Sequence, residues 1–287
     1  MTIIWSGLAL GAIYTIIALQ YNIVFVASGV FNFAQAQIAV TGTFFVYFLA
    51  TTAHIPAAAV VVLSALGCAA LAVIEEFFAV RPLQGRGYHG ELVTTLGAAV
   101  VLEGAALVLW GPNPEPVQFP GPQAPQTILG GRVLPFQLVL IALSIIIALG
   151  LRVAMRRTMF GVAALATAEN RSAAMLRGVN TRLLSVLFFA CAGALAGATA
   201  IVIGPQTFAL YDGGNSLVLL AFLALAIGGF GSQIGALVGG LAAGLIQSLS
   251  LRYLGTNYAT LVLFGVLLTV LLLRPRGLFG TTAVRNV

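Results

Sequence analysis

Residues 155–184 read MRRTMFGVAALATAENRSAAMLRGVNTRLL, the longest polar-containing interruption in a chain that is otherwise almost wholly apolar. The stretch carries Arg156, Arg157, Arg171, Arg177 and Arg182, a Glu169-Asn170-Arg171 cluster, and Gly161 and Gly178 near the ends of a predicted helix. Hydrophobic spans flank it on both sides. Guanidinium groups are costly to move across a bilayer, so an arginine-rich loop between spans stays on the cytoplasmic side. The pattern predicts a short amphipathic helix, with Thr167, Asn170, Arg171, Ala174 and Arg177 on one face and Val162, Leu165, Ser172, Leu176 and Val179 on another. Gly178 ends it, because glycine takes the left-handed C-cap conformation without a Cβ clash. Two roles fit the stretch: a solvated loop that only satisfies the positive-inside rule, or a docking element for a cytoplasmic partner. Its length and its helix formers favour the second.

Outward from this loop, composition gives the class. The chain is 60% hydrophobic and 7% charged, with mean hydropathy +1.08, where a soluble domain would be about a quarter charged. We read an all-α polytopic transmembrane helical bundle of about 8–10 spans, a single transmembrane domain over residues 1–287. No Asp, Glu, Lys or Arg precedes Glu75. The formal net charge of +6 is arginine held at membrane edges, not a nucleic-acid-binding patch.

All thirteen basic residues are arginine. A chain without lysine cannot supply the P-loop lysine that reaches nucleotide phosphates, and no Gly-x-x-x-x-Gly-Lys motif is present. It cannot form a lysine Schiff base either. Cys68 and Cys191 lie in apolar spans without metal-ligand spacing and read as packing residues. His54 and His89 are isolated, so no catalytic or metal-ligating constellation is expected, and no cofactor.

Taken in order, Ile3–Ala27 is long enough to span and lacks a basic n-region, so it reads as a retained first helix. Gly7, Gly11 and Ala18 would admit a close neighbour. The second span, Val30–Ala50, opens with Asn32, Gln35 and Gln37. Unpaired amides are costly in lipid, so these face protein or water, either as interhelical ties or as the polar lining of a path. Ala57–Val80 comes next, ending at Glu75-Glu76, and Arg81-Pro82-Leu83-Gln84-Gly85-Arg86-Gly87 forms a cytoplasmic loop. Leu92–Trp110 holds Glu103 well inside it, a candidate for the same path or for a structural hydrogen bond. Seven of the eleven prolines fall in 111–135, an extracytoplasmic loop that cannot be helical. Phe136–Ala154 and Leu183–Gly204 flank the opening stretch. Leu217–Phe230 is short and runs into Gly228-Gly229-Phe230-Gly231-Ser232, which fits a half-helix of the kind transporters use or a tight turn. Ile234–Leu254, with Gly235, Gly239, Gly240 and Gly244 as close-packing positions, and Tyr258–Leu273 complete the set. Alternation leaves only Arg132 and Arg252 outside, with the N-terminus also outside.

Several ordered blocks resemble the permease subunits of bacterial branched-chain (hydrophobic) amino acid ABC importers, specifically the first of their paired permeases. They are Gly7-Leu8-Ala9-Leu10-Gly11-Ala12-Ile13-Tyr14, Gly29-Val30-Phe31-Asn32-Phe33-Ala34, Arg81-Pro82-Leu83, Ala166-Thr167-Ala168-Glu169-Asn170 with Gly178-Val179-Asn180, Gly228-Gly229-Phe230-Gly231-Ser232 with Gly235-Ala236, and Arg274-Pro275-Arg276-Gly277-Leu278-Phe279-Gly280. The resemblance implies a multi-pass subunit of the bacterial inner membrane with four kinds of neighbour: a second permease, two cytoplasmic ATP-binding subunits that use ATP-Mg, an external substrate-binding protein, and lipid. It also implies that the segment around Thr167, Glu169, Asn170, Arg171, Arg177 and Gly178 is the coupling loop to the ATPase. One departure stands out. After Asn-Phe-Ala the family usually has His-Gly-Glu, and here Gln35-Ala36-Gln37 replaces it, which widens the expected solutes from branched-chain amino acids to urea, short amides and related molecules.

The expected mechanism is alternating access driven by partner ATPases, with Asn32, Gln35, Gln37 and Glu103 as polar lining. The competing class is a channel or ion-coupled carrier that works without ATPases. It is disfavoured by the scarcity of intramembrane carboxylates.

Overall fold

A computed structural model describes residues 1–83, 90–128 and 130–280. Arg86 and His89 lie outside the described residues. The chain forms α1 (Thr2–Ser28), α2 (Gln35–Tyr47), α3 (Ala57–Glu75), α4 (Gly90–Trp110), β1 (Gln126–Ile128), β2 (Gly131–Val133), α5 (Pro135–Arg157), α6 (Met159–Glu169), α7 (Arg171–Leu176), α8 (Thr181–Thr207), α9 (Gly213–Gly228), α10 (Gln233–Tyr253) and α11 (Thr256–Leu273). Short π-helical turns, Phe48–Thr52 and Glu76–Val80, extend α2 and α3. Among the described residues seven helices are long and apolar enough to cross a membrane, and α9 is a shorter apolar helix. Among the described residues the fold is helical apart from one antiparallel hairpin, in which Thr127 faces Arg132, inside the proline-rich segment read as an outer loop, and one isolated bridge.

The residues group into two compact units. One comprises 1–22, 121–156 and 219–287, the other 23–120 and 157–218; α1 and α9 contribute to both.

In the first unit, α1 and α10 run antiparallel with their backbones nearly touching. A Cβ on Gly11 would sit 2.7 Å from the Leu241 Cα, and one on Gly244 would overlap Gly11 itself. The two small-residue stripes therefore meet each other. Lipid is as apolar as leucine, so helices in a membrane gain little from burying large side chains and gain most from close backbone approach. The Tyr14 hydroxyl donates to Gln247 across this contact, and the Trp5 indole N–H donates to the Ile128 carbonyl, 3.3 Å. At the other end, the Leu278 and Phe279 amides donate to the carbonyls of Ile227 and Gly228, 2.9 and 2.8 Å. Gly277 at φ 77° lets the chain lie against Gly229.

In the second unit α2, α3 and α8 pack mutually, with α4 on α2. Gly193 and Gly197, one helical turn apart on α8, lie on the Cys68 and Ser64 carbonyls of α3, and a Cβ at either would overlap those oxygens. Phe44 of α2 stacks on Trp110 of α4, centroids 4.8 Å apart. An isolated bridge joins Glu115 to Ala209. These pairings join chain ends that the alternation of spans puts on one side of the membrane.

Two expectations need correction, and the segment before the glycine-rich break takes a definite form. The second span starts at Gln35, not Val30, because residues 29–34 are irregular. The short segment before the glycine-rich break is a continuous 16-residue helix, Gly213–Gly228, followed by a turn with Gly229 and Gly231 at φ 103° and 83°. The arginine-rich stretch is not one helix, since Asn170, with β-region φ and ψ, divides it into α6 and α7.

Candidate functional site

Two places in the second unit concentrate the residues singled out from sequence. The first is the irregular chain between α1 and α2. Gln35 meets Ala192 and Ile38 meets Cys68, and both partners lie near the middles of α8 and α3. The first turn of α2 is thus level with the centre of those helices, and residues 29–34 lead to it as non-helical backbone from the level of Glu75, the last residue of α3. Such backbone is tolerated in a membrane protein only where protein or water covers it. Here its polar groups are satisfied locally: the Val30 amide donates to Ser28 Oγ, 3.1 Å, and the Ala34 amide to Asn32 Oδ1, 2.9 Å. Asn32, Gln35 and Gln37 are all buried. The Asn32 Nδ2 donates to Glu75 Oε2 at 2.8 Å. Gln35 Nε2 donates to the Ala192 carbonyl, 3.3 Å, and Gln37 Nε2 to the Tyr211 carbonyl, 2.7 Å. The three amides are therefore interhelical ties in this state, binding α2 to α3, to α8 and to the connection before α9.

Glu103 does not join them. It is half-buried on α4 and accepts from Asn215 Nδ2 at the start of α9, 3.2 Å. The structure brings together the first three path candidates and sets the fourth apart.

Sequence reasoning gives Glu75 no role beyond marking the end of a span. The carboxylate is 6% exposed, and its Oε1 has no hydrogen-bond partner among the described residues. A signal exists: two adjacent acids within an apolar run need two partners. Glu76 finds Arg81, Oε2 to Nε 3.5 Å, and Arg81 also lies over the Phe77 ring, 5.0 Å from its centroid.

The second place is the arginine-rich segment, residues 155–184. Thr158 caps α6, its Oγ1 accepting from the Gly161 amide at 3.0 Å. Asn170 caps α7 by accepting from the Ala173 amide, 2.9 Å. Gly178, at φ 85°, ends α7 as expected. Burial inverts the amphipathic reading. Gly161, Ala164, Thr167 and Ala174 face inward, while Met159, Phe160, Val162, Met175 and Leu176 are exposed, Met159 and Leu176 at 87% and 90%. Thr167 is turned back on α6, donating to the Ala163 carbonyl at 2.8 Å. Glu169, Asn170, Arg177 and Gly178 are exposed, while Arg171 is half-buried, its Nη1 donating to the Ser28 carbonyl at 3.1 Å. The segment therefore presents large apolar side chains and charge outward from a frame of small residues. Where such an exposed apolar patch faces water, it is the mark of a protein-interaction surface.

Among the described residues no group of three His, Cys, Asp or Glu side chains could hold a metal ion.

The family described as branched-chain amino acid transport system permease component matches residues 3–272. The chain is 29% identical to the high-affinity branched-chain amino acid transport system permease protein BraD of Pseudomonas aeruginosa, over 98% of this chain and 96% of that protein. It is 28% identical to the permease protein LivH of Salmonella typhimurium, covering 99% and 96%. It is 25% identical to a probable branched-chain amino acid transport permease of Methanocaldococcus jannaschii, covering 92% and 88%. No solved structure matches the chain.

Proposed function

The chain belongs to the family of branched-chain amino acid transport system permease components, and from that premise we propose how its parts divide the work. It is a transport subunit, not an enzyme, in the bacterial inner membrane, and the ATP hydrolysis of the system lies in partner subunits. In our reading the full assembly has a second permease, two cytoplasmic ATP-binding subunits using ATP-Mg, and an external substrate-binding protein. The solute is a branched-chain or other hydrophobic amino acid, as the names of the relatives over nearly their whole length suggest. The replacement of His-Gly-Glu by Gln35-Ala36-Gln37 leaves neutral amides where that motif has titratable groups, and in the described state both glutamines are buried and held on backbone carbonyls.

The observation that carries the coupling reading is the outward apolar face of α6 and α7. Met159, Phe160, Met175 and Leu176 seat the segment in a groove of the ATP-binding subunit, with Glu169 and Arg177 as charged rim. Asn170 and Gly178 set the angle and end of α7, and Thr167 and Arg171 secure the segment to the permease. Movement of that seat opens the permease alternately to the two sides. Asn32, Gln35 and Gln37 hold α2 closed in the described state, and with Glu103 they become polar lining when the helices part.

The test is co-purification. Met159→Asp with Leu176→Asp places two carboxylates at the seat and is expected to remove the ATP-binding subunits from the detergent-solubilised complex, while the permease still inserts and keeps its second permease. Retention of the ATP-binding subunits by this variant would overturn the docking reading.

A further inference from the structure

We propose that Arg171 is a positioning residue that ties the ATPase-facing segment to the irregular chain at the start of α2, so that displacement of α6 and α7 is delivered to residues 29–34. This rests on the docking reading above and adds the route by which the movement leaves the loop.

Of the five arginines in residues 155–184, Arg156, Arg157, Arg177 and Arg182 are exposed and Arg171 alone is half-buried. A guanidinium that served only membrane topology would need nothing but water. Arg171 instead donates from Nη1 to the Ser28 carbonyl, 3.1 Å away and 143 positions earlier in sequence. Ser28 is the last residue of α1, and Gly29, at φ 75°, leaves the helix in the left-handed conformation. The final carbonyls of a helix lack intrahelical partners and carry the negative end of its dipole, so a cation there makes a charge-assisted bond.

Ser28, gripped in this way, also organises residues 30–34. Its Oγ donates to the Val24 carbonyl, 2.8 Å, and accepts from the Val30 amide, 3.1 Å. Further along, Asn32 is fixed to α3 through Glu75 and to its own chain through the Ala34 amide. The segment is therefore held at one end by Arg171 and at the other by Glu75, with Gln35 just beyond the second anchor. A shift of α7 pulls on Ser28, and the first polar groups to feel it are those that tie α2 to α3 and α8. Placement favours this arrangement: Arg171 is the first residue of α7, so the Asn170 cap that fixes the helix start also fixes the base of the arginine.

The test follows the movement without needing the solute. In the assembled complex, with Cys68 and Cys191 replaced by alanine, Phe33→Cys places a thiol in the partly exposed part of the segment. Its rate of reaction with N-ethylmaleimide is measured without nucleotide and after trapping with ATP and vanadate. With Arg171 present the rate should change on trapping. In Arg171→Ala the change should be lost while the ATP-binding subunits stay bound and hydrolyse ATP, and Arg171→Lys should restore part of it. The proposal is overturned by an unaltered response in Arg171→Ala, by no response with Arg171 present, or by loss of the ATP-binding subunits in Arg171→Ala. Failure of the docking reading shows separately, as retention of those subunits by the Met159→Asp, Leu176→Asp variant.

Discussion

Val101 at the middle of α4 and Leu176 on α7 are both strongly exposed, 71% and 90%, yet the exposure means opposite things. Val101 belongs to a helix long and apolar enough to cross the membrane, where lipid is its proper solvent and nothing needs to cover it. Leu176 lies between Asn170 and Arg177 in a segment with five arginines across residues 155–184; on the proposed cytoplasmic placement its solvent is water, and a bare leucine there calls for a partner. Large apolar residues therefore say little about packing inside the spans and a great deal in the cytoplasmic loop. In the spans the informative residues are the small ones, at which backbones meet.

The sharpest way to break this contrast is to place the same charge at both sites. Val101→Asp should cost about 3 kcal/mol of membrane insertion, the usual penalty for an acid at the centre of a span, and should show as lost or misoriented α4 in a glycosylation-site mapping assay. Leu176→Asp should leave insertion unchanged and weaken only association with the ATP-binding subunits. Equal insertion defects at the two sites would mean that α7 is not in water.

The next effect tests the complementary half of the comparison, that small residues rather than large ones mark the packed face. Gly197 lies on the Ser64 carbonyl, with no room for a Cβ. Gly197→Leu adds apolar volume, which a burial argument from hydropathy alone would count as favourable. It should instead destabilise by about 2–3 kcal/mol through overpacking, because the overlapping atoms are backbone and cannot turn aside. Cys68 reports it: this thiol is buried between α2, α3 and α8, so faster maleimide labelling of Cys68 on heating, with Cys191 removed, measures opening of that core.

A smaller effect probes the polar tie at the inner end of the same core. Asn32→Ala removes the donor to Glu75 Oε2 and the acceptor for the Ala34 amide, leaving a buried carboxylate oxygen and a buried amide without partners. The expected cost is about 1–3 kcal/mol, read by the same Cys68 labelling, and Asn32→Gln should not restore it because the longer side chain misplaces both bonds. An unchanged labelling profile would place the strength of α2 elsewhere.

These contrasts also explain how much of the molecule is legible in its sequence. The class and the spans are readable because hydropathy is a one-dimensional signal that the bilayer enforces. The Gly7–Gly11 and Gly235–Gly244 stripes are readable as packing faces, though not their pairing, which depends on contacts 200 or more positions apart in sequence, as between Tyr14 and Gln247, separated by 233. Gly193 and Gly197 carry the same spacing without standing out from their apolar surroundings. Asn32, Gln35 and Gln37 stand out as polar residues in an apolar run, but Glu75, the partner of Asn32, is 43 positions away and nothing local names it. The cytoplasmic helix misleads for a definite reason. Periodicity places Asn170 on a helical face, when an asparagine before Arg171-Ser172-Ala173 is also a strong N-cap, and its Oδ1 on the Ala173 amide ends one helix and starts the next.

The smallest predicted effect is the one on which the comparison depends most. Val101→Ala removes apolar surface from a residue as exposed as many that would be called misplaced in a soluble protein. If lipid is its solvent, the change swaps one apolar contact with acyl chains for another and leaves no cavity. Stability should then move by less than about 0.5 kcal/mol, the range of a surface substitution. A buried alanine replacement such as Leu140→Ala on α5, where the side chain is fully covered, should cost about 2–5 kcal/mol through the cavity it leaves. Thermal denaturation in lipid nanodiscs measures both. If Val101→Ala costs as much as Leu140→Ala, the face of α4 is covered by protein, and that face becomes the first place to look for a partner subunit.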